Sequence, residues 1–445
     1  MNPETPSIHL DSHNCDGVIR AAFLHFVADP DLSDNAWQYL EDGLLILKQG
    51  RVTALVEAGD YLDRLPVEID YVDYSGKLIM PGFFDTHSHY PQTDVIASYG
   101  AQLIEWLEKY TFPVEARFAD RDFADTVAEF FCDELLRNGT TTSCVFATIH
   151  PQSVDAIFAA ALKRNMCLIS GKVMMDRNAP EFVCDTAESS YRDSVELIGR
   201  WHKKGRLHYA VTPRFAPTSS EAQLEVAGQL IRQFPELYLQ THVAENQDEV
   251  AWVAKLFPAR RSYLDVYDHY GLLGERAIYA HCIHLDEADR ERIAERGAAI
   301  AFCPTSNLFL GSGLFDLDAA RRHAIRTGIA TDVGGGTSFS ILQTLAEAYK
   351  VCQMAGQILS PMKAFYLATL GSAKALYLDQ TLGNFAPGKE ADFVVLDLQA
   401  TPLMQRRMAM AETIEEQLFA LMILGDDRSI HATYVLGQCQ YAVPD

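Results

Sequence analysis

Five side chains that can bind a metal ion or move a proton stand at the ends of apolar runs. These runs are predicted to be β-strands. His87 and His89 end the first run, and their imidazoles face one point because side chains two apart on a strand share a side. His242, His281 and Asp332 end later runs. Imidazoles and a carboxylate are ligands of a divalent ion, most often zinc. The pattern predicts a metal centre; for His87 and His89 alone, the alternative is a pair of hydrogen-bonding loop histidines.

A carboxylate follows one of these candidate ligands. Glu245 lies three residues after His242, close enough to reach a substrate without binding the metal. This placement suits a group that shuttles protons. The alternative is a solvated acid at the start of a helix, where negative charge is favoured.

Eight apolar runs, alternating with segments of helical spacing, must position these residues. Continuous apolar runs are typical of strands buried on both faces of a parallel sheet, and eight strand–helix units close into a barrel. A barrel places the carboxyl ends of its strands on one rim, where active sites are built. We therefore predict an α/β fold, a (β/α)8 TIM-like barrel. The runs are 78–85, 141–147, 166–175, 207–212, 237–241, 277–280, 298–302 and 328–330.

Both ends of the chain differ from this middle. Short apolar runs separated by turn residues such as Gln49 and Gly50 indicate strands. These runs are 17–27, 43–48, 52–57, 391–398 and 432–436. We predict a small β-sandwich domain formed from both termini, with residues 1–77 and 381–445 contributing its two parts and residues 78–380 forming the barrel.

Composition excludes several classes of protein. The 445 residues are 48% hydrophobic and 22% charged, the balance of a globular protein. A net charge of −23 without a basic patch disfavours nucleic acid as a partner. The sequence contains neither a signal peptide nor an apolar stretch long enough to span a membrane, and its nine scattered cysteines fit reduced thiols. We expect a cytoplasmic protein without a membrane partner.

Several tracts in order along nearly the whole chain resemble the amidohydrolase superfamily and, within it, the guanine deaminase branch. The superfamily features are 81–89 (PGFFDTHSH) and 387–392 (PGKEAD). The more specific tracts are 89–92 (HYPQ), 175–180 (MDRNAP), 214–218 (RFAPT), 302–307 (FCPTSN) and 310–313 (LGSG).

The resemblance implies a role for each site residue. It makes Glu245, Asp332 and His281 catalytic, with Glu245 as the proton shuttle and His281 as a hydrogen-bonding partner of the reactive water. The implied ligands of one zinc ion per chain, with Fe²⁺ as the alternative, are His87, His89, His242 and Asp332. The implied substrate-binding residues are His89, Gln92, Arg214, Phe215, His242, Glu245 and Asp332.

The implied reaction is hydrolysis of guanine to xanthine and ammonia, with a purine as the small-molecule partner and a homodimer as the assembly. Pro213 and Arg214 follow the fourth run, where two-metal members of the superfamily typically have a bridging lysine. Lys172 lies inside the third run and is interpreted as structural, so one metal is expected. The glycines 334–336 lack the Gly-Lys-Ser/Thr of a phosphate loop and are expected to let backbone approach the base. The alternatives are a deaminase of a pterin, a triazine or an oxidised guanine, and a non-catalytic scaffold.

Overall fold

A computed structural model describes residues 15–65, 69–99 and 103–444, so residues 1–14 of the predicted β domain lie outside the described part. The strands are β1 (Gly17–Phe26), β2 (Trp37–Lys48), β3 (Arg51–Glu57), β4 (Asp70–Pro81), β5 (Phe83–His89), β6 (Thr140–Phe146), β7 (Cys167–Gly171), β8 (Val173–Met174), β9 (Leu207–Pro213), β10 (Tyr238–Val243), β11 (Ala277–His281), β12 (Ala299–Phe302), β13 (Arg326–Ile329), β14 (Phe393–Leu396), β15 (Ile430–Val435) and β16 (Gln438–Ala442).

The α-helices are α1 (Ala58–Tyr61), α2 (Leu103–Trp106), α3 (Phe112–Ala116), α4 (Arg121–Arg137), α5 (Pro151–Lys163), α6 (Ala187–Trp201), α7 (Glu221–Gln233), α8 (Gln247–Leu256), α9 (Tyr263–His269), α10 (Glu287–Arg296), α11 (Pro304–Phe309), α12 (Leu317–Arg322), α13 (Ile341–Met354), α14 (Pro361–Tyr366), α15 (Ser372–Ala375), α16 (Pro402–Met408) and α17 (Ile414–Leu424).

Eight parallel strands form a nearly closed barrel in the order β5, β6, β7, β9, β10, β11, β12, β13, and the short β8 pairs with β9. The first and last strands meet where the Thr86 hydroxyl donates to the Ile329 carbonyl at 3.0 Å and the Asp332 N–H donates to the His87 carbonyl at 2.9 Å. Apolar side chains fill the interior, so the barrel is packed below its carboxyl rim. The predicted TIM-like barrel is confirmed.

Both ends of the chain meet in one seven-stranded sheet with the order β16, β15, β14, β4, β1, β2, β3. The two ends pair through the antiparallel strands β4 and β14, with Pro81 opposite Phe393, and an isolated bridge between Arg51 and Glu390 adds a second contact. One buried apolar cluster draws side chains from six of the seven strands. Burial of this shared face holds the two ends together. The predicted β domain from both termini is thus present, but its strands form one continuous hydrogen-bonded sheet, where the predicted sandwich has two sheets.

The predicted strand 78–85 was wrong in its bounds. Residues 78–81 belong to β4 of the end sheet, and the first barrel strand begins at Phe83. Both segments are buried and apolar, so the sequence pattern joins two strands that Gly82 separates. A side chain would not fit at Gly82, because its Cβ would lie 2.2 Å from the Thr141 hydroxyl oxygen. The domain boundaries at 77/78 and 380/381 stay predictions.

Two further sequence features have structural counterparts. Gln49 and Gly50 have φ of 50° and 73° and link β2 to β3, which is the backbone of a tight hairpin turn. All nine cysteines lie within the described residues and are free thiols. Among the described helices, none has the length and apolar composition to cross a bilayer.

Candidate active site

The four predicted metal ligands converge at the carboxyl rim of the barrel. The Nε2 atom of His89 lies 3.2 Å from Nε2 of His87 and 3.1 Å from Nε2 of His242. The Oδ1 atom of Asp332 lies 3.2 Å from Nε2 of His87 and 3.5 Å from Nε2 of His89. Ligand atoms of His87, His89 and Asp332 lie within 4.8 Å of one another, and those of His87, His242 and His281 form a second group of the same size. The two groups share His87, so β5, β10 and the loop after β13 bring the four predicted ligands into one cluster that could hold a metal ion.

Irregular backbone at the strand ends aims these side chains. The pairing of β5 with β6 shifts register between Asp85 and Ser88, and such bulges re-aim side chains beside active sites. The φ angle is 50° at Ala244, 70° at His281 and 52° at Asp332, the left-handed region that residues other than glycine rarely adopt. The strain therefore lies at the rim that carries the candidate ligands.

The electrostatics of the cluster favour the forms that bind a cation. Burial would raise the pKa of Asp332, but the hydrogen bond and charge of His87, with the nearby imidazoles, hold that pKa far below its usual range. Burial lowers the pKa of His87, and it lowers those of His89 and His242 further. At neutral pH the cluster is an ionised carboxylate with neutral imidazoles, the protonation state of a metal site.

Glu245 and His281 form a second group beside the cluster. Glu245 is 3% exposed, which excludes the solvated acid considered as an alternative. Burial raises the pKa of its carboxyl to about 7, against the opposing charge of His281. The Ser312 hydroxyl donates to Oε1 of Glu245 at 3.0 Å, and Nε2 of His281 lies 3.4 Å from Oε2. A carboxyl with this pKa can hold or release a proton near neutral pH.

His281 is itself held in one orientation. Its Nδ1 atom lies 2.9 Å from the Asn307 side-chain oxygen, which can only accept, so Nδ1 carries a proton and Nε2 faces the site. Nε2 lies 3.8 Å from Oδ2 of Asp332. Although burial opposes it, the carboxylates of Glu245 and Asp332 raise the pKa of His281. Asn307 thereby sets which nitrogen of the ring reaches the reacting groups.

The cavity above the cluster is narrow and has mixed walls. The predicted substrate-binding residues Gln92, Arg214 and Phe215 line it, together with His89, His242, Glu245, His281 and Asp332. Apolar side chains from the segment after β5 complete one wall: Leu103, Trp106 and Leu107. Apolar walls with a few fixed polar groups are typical of a small-molecule site.

Several residues of the site were not predicted from the sequence. Asn307 and Ser312 lie inside the motif tracts 302–307 and 310–313, which was the only signal for them. Asp85 accepts hydrogen bonds from the Thr331 N–H at 3.0 Å and the Thr331 hydroxyl at 2.5 Å, and thereby anchors the backbone next to Asp332. Trp106 has no such signal, since a tryptophan in a short helix predicts only packing.

The structure also shows the surroundings of Lys172, which was predicted to be structural, and of the glycines 334–336. Lys172 is 1% exposed and pairs with Asp185, as expected for a structural lysine. Gly335 lines the cavity, and a Cβ at Gly336 would lie 1.8 Å from the Thr331 carbonyl oxygen. Gly336 therefore permits a close turn after Asp332, and the approach of this backbone to a ligand stays a prediction.

A parallel barrel with histidine and aspartate ligands on its carboxyl rim is the architecture of a metal-dependent hydrolase. The model of the amidohydrolase family matches residues 78–439, and the chain belongs to this family. More specifically, the chain is 53% identical to the guanine deaminase of Escherichia coli (strain K12), over 95% of this chain and 97% of the relative. The resemblance predicted from the motifs is confirmed.

Solved structures of guanine deaminases have the same fold as this chain. The E. coli guanine deaminase structure superposes with a TM-score of 0.94 over 96% of this chain and 99% of that chain. The structure of the guanine deaminase from C. acetobutylicum, which has guanine bound in its active site, is 28% identical in sequence. It superposes with a TM-score of 0.85 over 96% of this chain and 100% of that chain.

Proposed function

We propose that this chain is a guanine deaminase, which hydrolyses guanine to xanthine and ammonia. The observation that carries the proposal is the 53% identity to E. coli guanine deaminase across 95% of the chain. The site supports it, because candidate metal ligands, a buried carboxyl with a pKa of about 7 and a cavity lined by Gln92, Arg214 and Phe215 lie together. Membership of the amidohydrolase family by itself indicates a metal-dependent hydrolase.

One zinc ion fits the cluster of His87, His89, His242 and Asp332. The Nε2 atom of His89 faces two imidazole nitrogens and a carboxylate oxygen at once, and a single N–H cannot donate to all three. A cation explains this convergence, and three imidazoles with one carboxylate suit zinc, with Fe²⁺ as the alternative. The Nδ1 atom of His242 lies 2.7 Å from the Arg214 carbonyl oxygen and donates to it, which directs Nε2 to the cluster.

When bound, the metal acts as a Lewis acid that makes water nucleophilic near neutral pH. Asp332, ionised at neutral pH, accepts a proton from the attacking water. Glu245, whose pKa is about 7, delivers a proton to the ring nitrogen beside the attacked carbon. His281 holds the water in line through Nε2. Asp332 then passes its proton to the exocyclic amine, and Glu245 takes up the proton of the new hydroxyl group. Ammonia leaves as the carbon–nitrogen bond breaks and the new carbonyl forms, and both carboxyl groups return to their starting states.

The purine is held by the polar groups on the opposite side of the cavity. Gln92 pairs with donor and acceptor edges of the ring, and Arg214 supplies fixed donors to the carbonyl. Phe215 is 4% exposed and packs edge-on against Trp252 at 6.3 Å, which fixes its ring beside the base. The roles of His89, His242, Glu245 and Asp332 in contacting the purine follow from their position in the same cavity.

The test is a turnover assay on purified protein. We expect ammonia release from guanine by zinc-loaded protein, and guanine should have the highest kcat/KM in a panel with a pterin, a triazine and an oxidised guanine. No turnover of guanine at full metal occupancy would refute the assignment. Metal analysis should give one zinc per chain, whereas almost no metal would indicate the non-catalytic scaffold.

Assembly and location complete the proposal. We expect a cytoplasmic homodimer, in line with an acidic chain whose described cysteines are free thiols. Light scattering that gives the mass of a monomer, 49.6 kDa, would refute the dimer.

A further inference from the structure

One buried carboxylate lies directly behind the proposed purine-binding groups and has no part in the mechanism above. Glu115, on α3, is 2% exposed. It accepts two hydrogen bonds from Nη1 of Arg214, at 2.9 and 2.8 Å, and one from Nε2 of Gln92 at 3.1 Å. A single side chain therefore holds both polar residues that are proposed to recognise the purine.

These contacts decide which atoms of each side chain face the cavity. Glu115 engages only the Nη1 atom of Arg214, so it leaves Nε and Nη2 for a ligand. Gln92 donates from Nε2 to Glu115 and accepts from the Gly334 N–H at Oε1, at 3.3 Å. Both ends of the amide are thereby assigned, and its remaining N–H and lone pair are presented in one order.

The charge of Glu115 also matters, because Arg214 is equally buried at 3% exposure. A buried guanidinium without a partner is costly, and it would turn toward any other acceptor within reach. Paired with Glu115 it stays fixed, and a guanidinium fork recognises a carbonyl only in a defined plane.

Glu115 also joins separate parts of the cavity. Arg214 follows β9 and Gln92 follows β5, while Glu115 ends the segment that contributes the apolar wall residue Trp106. The Phe112 ring on the same helix lies 5.5 Å from the Arg214 guanidinium. The Glu115 carboxylate thus connects Arg214 and Gln92 to the helical segment that follows Trp106.

We propose that Glu115 is a positioning residue for substrate recognition: it orients Arg214 and Gln92 toward the purine edge without touching the purine. This inference rests on the proposed function. Loss of the Glu115 carboxylate should weaken recognition of the carbonyl-bearing edge of guanine more than it slows the chemical steps.

The test is Glu115→Gln, which keeps size but removes the charge. We expect KM for guanine to rise about 10- to 100-fold, the range for losing a hydrogen bond to a charged group, while kcat changes less than about threefold. Inhibition by 2-aminopurine, which lacks the ring carbonyl, should weaken less than about twofold. If Glu115 were merely structural, the substitution would weaken the binding of guanine and of 2-aminopurine equally.

The matched control is Asp392→Asn, an acid-to-amide change in the buried ion pair with Arg206 outside the cavity. It should lower Tm and leave KM unchanged. Glu115→Asp, which keeps the charge with a shorter reach, should lie between parent and Glu115→Gln, and it replaces the latter if that variant does not fold. An unchanged KM for guanine, or an equal weakening of the binding of both purines, would overturn the proposal. If the parent does not turn over guanine, the proposed function fails, and Glu115 is judged on the Kd values of guanine and 2-aminopurine.

Discussion

Replacing Glu245 by glutamine separates binding from chemistry at this site. The variant keeps the size of the side chain and its hydrogen-bonding groups but cannot carry a proton. The amide oxygen can still accept a hydrogen bond from the Ser312 hydroxyl, which lies 3.0 Å from Oε1 in the parent. The amide N–H can donate to Nε2 of His281, which lies 3.4 Å from Oε2 in the parent. The substitution should therefore fit the cavity without displacing the neighbouring side chains.

The expected loss is large. General acid–base catalysis is worth about 10² to 10⁴ in rate, so Glu245→Gln should raise the barrier by about 2.7–5.4 kcal/mol. Metal content should stay near that of the parent, because Glu245 lies outside the four-ligand cluster. Binding of guanine should persist, since Gln92, Arg214 and Phe215 are the residues proposed to recognise the purine.

Three measurements check this prediction: kcat from ammonia release, metal per chain from elemental analysis, and the Kd of guanine. The control is Asp289→Asn, a buried acid on the outer helix α10, which should leave kcat unchanged. Near-parental turnover by Glu245→Gln would show that Asp332 handles the protons alone. Loss of metal together with activity would instead make Glu245 a ligand.

Three further predictions follow from the same geometry. His242→Ala should lose metal and activity together, because a zinc site without one ligand is weaker and misshapen; metal content and kcat measure this. Ser312→Ala removes a hydrogen bond that lowers the pKa of Glu245, so the fall of kcat/KM above about pH 7 should move to higher pH. Gly336→Ala places a Cβ 1.8 Å from the Thr331 carbonyl oxygen, so it should cost about 1–3 kcal/mol of unfolding free energy and reduce turnover.

Each of these has a control and a contrary result. His269→Ala, on an exposed side chain, should keep full metal content, and metal retention by His242→Ala would remove His242 from the ligand set. An alkaline limb that stays in place in Ser312→Ala would assign it to a group other than Glu245. Gly274→Ala introduces a Cβ with open space around it and should have little effect, so an equal loss there would refute the steric argument for Gly336.

The sequence by itself determined the barrel and the position of its candidate ligands. The carboxyl ends of parallel barrel strands share one rim, so a histidine or aspartate at such an end needs no further information to be placed there. His87, His242 and His281 illustrate this, and the structure brings them to that rim. The motif tracts added the family, because many of them occur in order along the chain.

The tertiary structure alone decided which groups support this rim. Glu115 contacts Arg214 across 99 residues of sequence, and Asn307 contacts His281 across 26, and no local pattern encodes either pair. The pKa of Glu245 is set by burial, which depends on the elements packed over it. The register shift in β5 was also unpredictable, because it arises from pairing with β6. Strand ends follow from local patterns, whereas partners, burial and register arise only when distant segments pack together.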